Sequence, residues 1–284
     1  MKYSLMTASM IFPILWNPDM DDATKKDEYT SIMKMIATTG VDAVEVTSLE
    51  LDILGKDFIN RTIKDANLEI SGLIHMDNFA DRQKSKTIVE ESKRKILIAN
   101  ELGIKYVMLG LRAQEDFIFL PKDEMQAALV DNFSAVVEFG KTVGVTVTVE
   151  DTPNIKLPVC DSEDLLYLLE KVNYLKLTYD TGNMILKGEN TIDFFDKLKD
   201  YVTYVHLKDM QYTDDSSTGD ETINGSHVKA TIHGEGVMDF RQIIRRLQDS
   251  GYNGWLMIEY VGQNDHAHNI KNTLTMMKKY EKEC

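Results

Sequence analysis

The chain has 284 residues, 43% of them hydrophobic and 27% charged, with 16 Gly and 5 Pro; this balance excludes a disordered, collagenous or cysteine-stapled protein. Thirty-two Lys and Arg against 46 Asp and Glu leave a formal charge of -14, a field that repels phosphate backbones and anionic lipid, so neither nucleic acid nor membrane is an expected partner. The two cysteines, Cys160 and Cys284, lie far apart without metal-binding spacing, which fits a reduced, cytoplasmic setting.

Fourteen uncharged residues, Tyr3 to Trp16, open the chain behind Lys2. Pro13 interrupts them, Asp19, Asp21 and Asp22 follow without a small-residue cleavage site, and the run is too short to span a bilayer. Residues 3–8 read as a buried strand, and 9–22, with Phe12, Pro13 and Trp16, as a long apolar loop. Further strands are predicted at 43–47, 69–75, 105–111, 146–150, 175–180, 202–206 and 254–260, where β-branched or aromatic residues cluster. Amphipathic helical stretches lie between them, for example 84–102, 123–143 and 161–171, the last opening on the acidic Asp161-Ser-Glu-Asp. Several end in glycine just before the next strand, as at Gly40, Gly103, Gly144 and Gly251. Residues 210–238, rich in Asp, Ser, Thr and Gly, read as a second long loop, a lid or a solvated insertion. Eight strand–helix units without a dividing linker predict a single (β/α)8 TIM barrel spanning 1–284. Gly234-Glu-Gly236 lacks the third glycine of a dinucleotide loop.

In such a barrel the chemistry sits at the carboxyl ends of the strands. Four successive strands, the fifth to the eighth, end on Glu150, Asp180, His206 and Glu259. Singly, each has an ordinary role as a helix cap; together they would repel one another unless a cation neutralised them. Three carboxylates and an imidazole suit one divalent ion, Mn²⁺, Mg²⁺, Co²⁺ or Zn²⁺.

The strings Val149-Glu150-Asp151, Tyr179-Asp180-Thr-Gly-Asn183, Val205-His206-Leu-Lys208-Asp209, Gly234-Glu-Gly236 with Asp239-Phe240, and Gly251-Tyr-Asn-Gly254-Trp-Leu-Met-Ile-Glu259 resemble the xylose-isomerase-like TIM-barrel family. That family holds sugar phosphate isomerases and epimerases, inosose dehydratases and ketose 3-epimerases. The resemblance covers essentially the whole chain. It implies that Glu150, Asp180, His206 and Glu259 ligate the metal and that Glu150 and Glu259 are the acid/base pair. It also implies proton transfer at carbon through an enediolate, on a sugar, sugar phosphate or cyclitol. Asn183 stands where ketose 3-epimerases of the family carry His, and Tyr212 where they carry Arg; both positions handle substrate hydroxyls, so a ketohexose 3-epimerase fits less well than the metal site does.

Secondary substrate-binding candidates are His75 at the end of the third strand, Asn183, Lys208 and Trp16. Three of them have a plain structural alternative: a core or capping histidine for His75, a pairing with Asp209 for Lys208, and ordinary core packing for Trp16 along with Phe12. Inosose-type dehydration on the same metal site is the competing activity. An endonuclease IV-like hydrolase, given six histidines and the charge of -14, and a non-catalytic sugar-binding protein both rank below it. The apolar 11–16 stretch, if exposed, fits pairing of copies into a homo-oligomer.

Overall fold

A computed structural model describes residues 1–112, 120–262 and 264–284. In chain order its strands are β1 (Lys2–Met6), β2 (Ala43–Thr47), β3 (Glu69–Asp77), β4 (Tyr106–Leu111), β5 (Thr146–Val149), β6 (Lys176–Asp180) and β7 (Val202–Leu207). They continue as β8 (Asp209–Thr213), β9 (Asp220–Glu221), β10 (His227–Thr231) and β11 (Trp255–Ile258). Eight of them close a parallel barrel in the order β1-β11-β7-β6-β5-β4-β3-β2. The predicted (β/α)8 architecture is present.

The helices around the barrel follow from their apolar spacing and caps. Helix α1 is Ala8–Leu15 and α2 Asp22–Ala37; α3 (Ser48–Leu54) and α4 (Lys56–Asp65) follow β2, α5 (Ser85–Leu102) follows β3, and α6 (Lys122–Val143) follows β4. Then come α7 (Ser162–Lys171), α8 (Thr191–Leu198), α9 (Phe240–Asp249) and α10 (His266–Glu283). In α9 the buried residues are Phe240, Ile243, Ile244 and Leu247, the i, i+3, i+4, i+7 stripe of a helix laid on a sheet. Asp161 caps α7 by accepting the Asp164 backbone N–H at 2.9 Å, satisfying a donor the helix itself cannot. Among the described residues no helix is long and apolar enough to cross a membrane.

Two expected loops carry regular structure instead. Part of 9–22 is α1, with Pro13 inside it; Pro13 removes one backbone bond, and burial of Met10, Ile11 and Leu15 on one face outweighs that loss. Ile11 is wholly buried and Leu15 nearly so, which leaves Trp16, 59% exposed, where an exposed apolar stretch was expected. Residues 209–231 form a small antiparallel sheet in the order β8-β10-β9, with Met210 opposite Ala230 and Tyr212 opposite Val228. It stands between β7 and α9, so strand seven is not followed directly by a helix. Polar turn residues between these strands hide their alternation in the sequence.

The lumen is not filled by aliphatic side chains alone. Ser4, Ser71, Thr148, Thr178 and Tyr204 are buried there and satisfy one another. Tyr204 Oη donates to Ser71 Oγ at 2.7 Å, Ser71 Oγ donates to the Val44 carbonyl at 3.2 Å, and the Thr148 and Thr178 hydroxyls are 2.7 Å apart.

Candidate metal centre and active site

At the carboxyl ends of β5, β6 and β7, directly after or on the strands, one ligand atom each from Glu150, Asp180 and His206 lies within 4.8 Å of the others. Asp180 and His206 have no exposed side-chain surface in this arrangement, and Glu150 keeps 14%. The local chain sets their directions. Asp180 Oδ1 accepts the backbone N–H groups of Gly182 at 2.8 Å and Asn183 at 2.7 Å, which fixes the carboxylate and leaves Oδ2 without a hydrogen-bond partner. Thr181 ties β6 to β7: its N–H donates to the His206 carbonyl at 3.0 Å, and its Oγ1 contacts both the Lys208 carbonyl and N–H at 2.8 Å. The His206 ring thus has a fixed root.

That ring lies between two carboxylates. Its Nδ1 contacts Glu150 Oε1, and its Nε2 is 3.1 Å from Oε2 of Glu45, a buried residue of β2. Neither contact is aligned as a hydrogen bond, so both ring nitrogens, Glu150 Oε1 and Glu45 Oε2 are buried without one. Burial alone would lower the His206 pKa, but Glu150 and Glu45 raise it well above the ordinary histidine range. For Asp180, burial pushes the carboxyl up to about 7 against the pull of Lys208, with Glu150 and Glu259 adding to the rise. Next in sequence to Glu150, Asp151 is buried with both oxygens unpartnered; burial, then Asp180 and Glu150, hold its pKa far above the usual carboxylate value.

Glu259 follows β11 and stands beside this trio, its carboxylate engaged elsewhere. Its Oε1 is 2.9 Å from Lys208 Nζ, and despite burial that ammonium keeps the Glu259 pKa below its ordinary value. Lys208 in turn stays charged: burial opposes the charge, but Glu259 and Asp180 outweigh it. The expected alternative pairing of Lys208 with Asp209 is absent. Asp209 instead accepts the backbone N–H groups of Met210, Gly234, Gly236 and Met238, pinning the 233–238 loop to the start of β8. A Cβ at position 236 would sit 2.1 Å from Asp209 Oδ1 and 2.4 Å from the Met210 carbonyl. The second glycine of Gly234-Glu-Gly236 therefore serves a carboxylate staple, not a nucleotide. His233 Nε2 reaches the Leu207 carbonyl at 2.6 Å and closes the same corner.

The secondary candidates separate. Asn183 Nδ2 donates to the Asp151 carbonyl at 3.0 Å and its Oδ1 is buried and unpartnered. His75 is buried with Nδ1 3.1 Å from Ser48 Oγ and Nε2 unpartnered; burial lowers its pKa, so the ring is neutral. Trp16 meets the Phe12 ring at a tilt of 38°, with centroids 4.8 Å apart, and is otherwise exposed. Glu45 and Asp151 went unnoticed in the sequence as members of this cluster. The available signal for Glu45 was a lone carboxylate inside the otherwise buried run Ala43-Val-Glu-Val-Thr47, a placement that requires a partner.

The donor set fits a hard-to-borderline divalent ion. Glu45, Glu150, Asp151, Asp180, Asn183 and His206 each bury at least one atom without a hydrogen-bond partner, and most of those atoms are carboxylate oxygens. Such a cluster is costly unless something cationic or hydrogen-bonding completes it.

The family described as xylose isomerase-like TIM barrel matches residues 33–280. An inosose dehydratase of Clostridium beijerinckii is 23% identical over 266 residues, 88% of this chain and 88% of its own. Among solved structures, an L-ribulose 3-epimerase superposes with a TM-score of 0.77 at 16% identity, over 100% of this chain and 95% of its own. A xylose isomerase-like TIM barrel protein from Mycobacterium smegmatis in complex with magnesium gives 0.72 at 15% identity, over 99% and 96%. At these identities the two solved structures share the fold.

Proposed function

The chain belongs to the xylose isomerase-like TIM-barrel family, and from that premise we propose that it is a divalent-metal-dependent sugar isomerase or epimerase acting by proton transfer at carbon. The observation that carries this reading is the group of ionisable side chains with unpartnered buried atoms at the carboxyl ends of β5 to β7. Glu150, Asp180 and His206 would hold the ion, and Glu259 completes the set by turning from Lys208. Once bound, Mn²⁺, Mg²⁺, Co²⁺ or Zn²⁺ supplies Lewis-acid polarisation of neighbouring substrate oxygens.

The rest is the work of the chain. Glu150 and Glu259 project from strands separated by β6 and β7 in the barrel wall, so two carboxylates approach a substrate carbon from different sides. One removes a proton beside a carbonyl, giving an enediolate; the other returns a proton to the same or the neighbouring carbon. Lys208, the cation between Glu259 and Asp180, binds a substrate oxygen and stabilises charge developing there. Asn183 Oδ1 and the neutral His75 Nε2, both unpartnered, suit substrate hydroxyls, and Trp16 offers an aromatic wall at the rim. These are features of a small polyhydroxylated substrate: a sugar, sugar phosphate or cyclitol.

The relationship to an inosose dehydratase favours a second reading on the same groups. If the hydroxyl at the adjacent carbon leaves after proton removal, the outcome is elimination of water. Both readings share the first step, so one experiment tests them together. The metal-loaded protein is incubated in deuterated water with ketoses, aldoses and inososes, and deuterium at carbon is followed by NMR. Exchange with return to a sugar supports isomerisation or epimerisation, whereas exchange with an unsaturated product supports dehydration. Absence of exchange across the panel from fully metal-loaded protein contradicts both.

A further inference from the structure

Glu45 lies in the lumen, 1% exposed, three strands away from β7 around the barrel, and its Oε2 approaches His206 Nε2 to 3.1 Å. Space for it is made by a missing side chain. A Cβ at Gly72, the residue paired with Glu45 on β3, would sit 2.5 Å from Glu45 Oε1 and 3.3 Å from Tyr204 Oη. Tyr204 cannot swing aside without giving up its hydrogen bond to Ser71, and its ring meets the His206 ring edge-on at 5.6 Å and 82°. The imidazole is therefore bounded by the Tyr204 ring and by a carboxylate at Nε2, and its Nδ1 faces Glu150.

We propose that Glu45 is a positioning residue: reaching across the lumen from β2, its carboxylate stands 3.1 Å from His206 Nε2, unaligned as a hydrogen bond in this arrangement, and accepts the Nε2–H in a hydrogen bond when the ring settles, so that Nδ1 is the nitrogen presented to the cation. The inference rests on the metal reading above and adds to it a definite ligand atom and the residue that selects it. A carboxylate on the far nitrogen of a ligating histidine fixes ring orientation and tautomer and makes the ligating nitrogen more basic. Gly72 is part of the device, because any larger residue there displaces the Glu45 carboxylate.

The test uses the whole protein, stripped by chelation and reloaded. Mn²⁺ affinity is measured by calorimetry for the unmodified chain, Glu45→Ala, Glu45→Gln and Gly72→Ala, with circular dichroism to establish folding. Removing such a partner typically weakens binding about 10- to 100-fold, and that loss is expected for Glu45→Ala. A smaller loss is expected for Glu45→Gln, which keeps an acceptor oxygen at the same reach. Gly72→Ala, which leaves Glu45 in the chain but crowds it, should weaken binding in the same direction. In the Zn²⁺-loaded protein, ¹⁵N-histidine NMR should show the His206 proton on Nε2, the signal being assigned by its absence from a His206→Asn variant. Unchanged affinity in folded Glu45→Ala, or a zinc complex with the proton on Nδ1, overturns the inference while leaving the metal reading intact. Failure of the unmodified protein to bind either ion overturns both. Should Glu45→Ala not fold, the Gln and Gly72 variants and the tautomer of the unmodified complex still decide the matter.

Discussion

Two adjacent layers of the barrel lumen handle buried polarity in opposite ways. In the lower layer, Ser71, Thr148, Thr178 and Tyr204 are buried and hydrogen-bonded to one another or to backbone. In the upper layer, Glu45, Glu150, Asp180 and His206 are crowded together and leave atoms unpartnered. Polar groups that satisfy each other hold strands in register. Polar groups that do not must be completed from outside, and this is the mark of a site rather than of a core. The same contrast separates Asp209 from Asp180. Asp209 is consumed by four backbone N–H groups, whereas Asp180 spends one oxygen on backbone and keeps the other free.

The comparison is sharpened most strongly at Glu150 of the upper layer and at Glu259 beside it. Glu150→Gln and Glu259→Gln preserve size and one oxygen but lose the ability to take up a proton at neutral pH. Turnover on the true substrate should fall about 10²- to 10⁴-fold in each, with folding unchanged. If both metal-loaded variants keep near-normal turnover, the glutamates are ligands only and the proton chemistry belongs to other groups.

A weaker effect is expected at Glu50, a buried carboxyl outside the site whose Oε1 takes bonds from Thr7 Oγ1 and the Thr47 N–H. Burial raises its pKa from 4.5 to about 7, even though those bonds pull the other way. The folded state therefore holds a proton that the unfolded chain releases near pH 4.5. Its contribution falls as pH rises through this window, by on the order of 3 kcal/mol, and levels off above about pH 7. Denaturant titrations from pH 5 to 8 should show Glu50→Gln gaining on the unmodified protein as pH rises. A constant difference across that range contradicts the assignment.

The smallest effect belongs to the lower layer. Thr148→Val or Thr178→Val alone strands the partner hydroxyl and should cost about 1–3 kcal/mol, while the double variant should be closer to neutral. Metal affinity should stay unchanged in all three. Altered affinity would mean that the two layers are not independent.

Much of this was legible in the sequence. The eight strands, their order and the strand-end residues Glu150, Asp180 and His206 follow from short β-branched runs alternating with amphipathic helices, because period and length are local properties. The less legible parts depend on distant contacts. Glu45 and His206 are far apart in sequence and meet only because the barrel closes. The pairing of Lys208 with Glu259 instead of Asp209 reflects a strand end where successive side chains point to opposite sides. The β8-β10-β9 sheet was read as loop because its strands are short and its turns strongly polar, and α1 because Pro13 masked an apolar helical face.

The central claim is that the upper layer holds a divalent cation. The most direct measurement is elemental analysis, with Mn²⁺ titration after chelation, of the unmodified protein beside Asp180→Asn and His206→Ala. The account predicts one ion per chain in the unmodified protein and loss of tight binding in both variants, with a matching fall in melting temperature when the unmodified protein is chelated. An unmodified protein that takes up no ion, or variants that bind it as tightly, would contradict it.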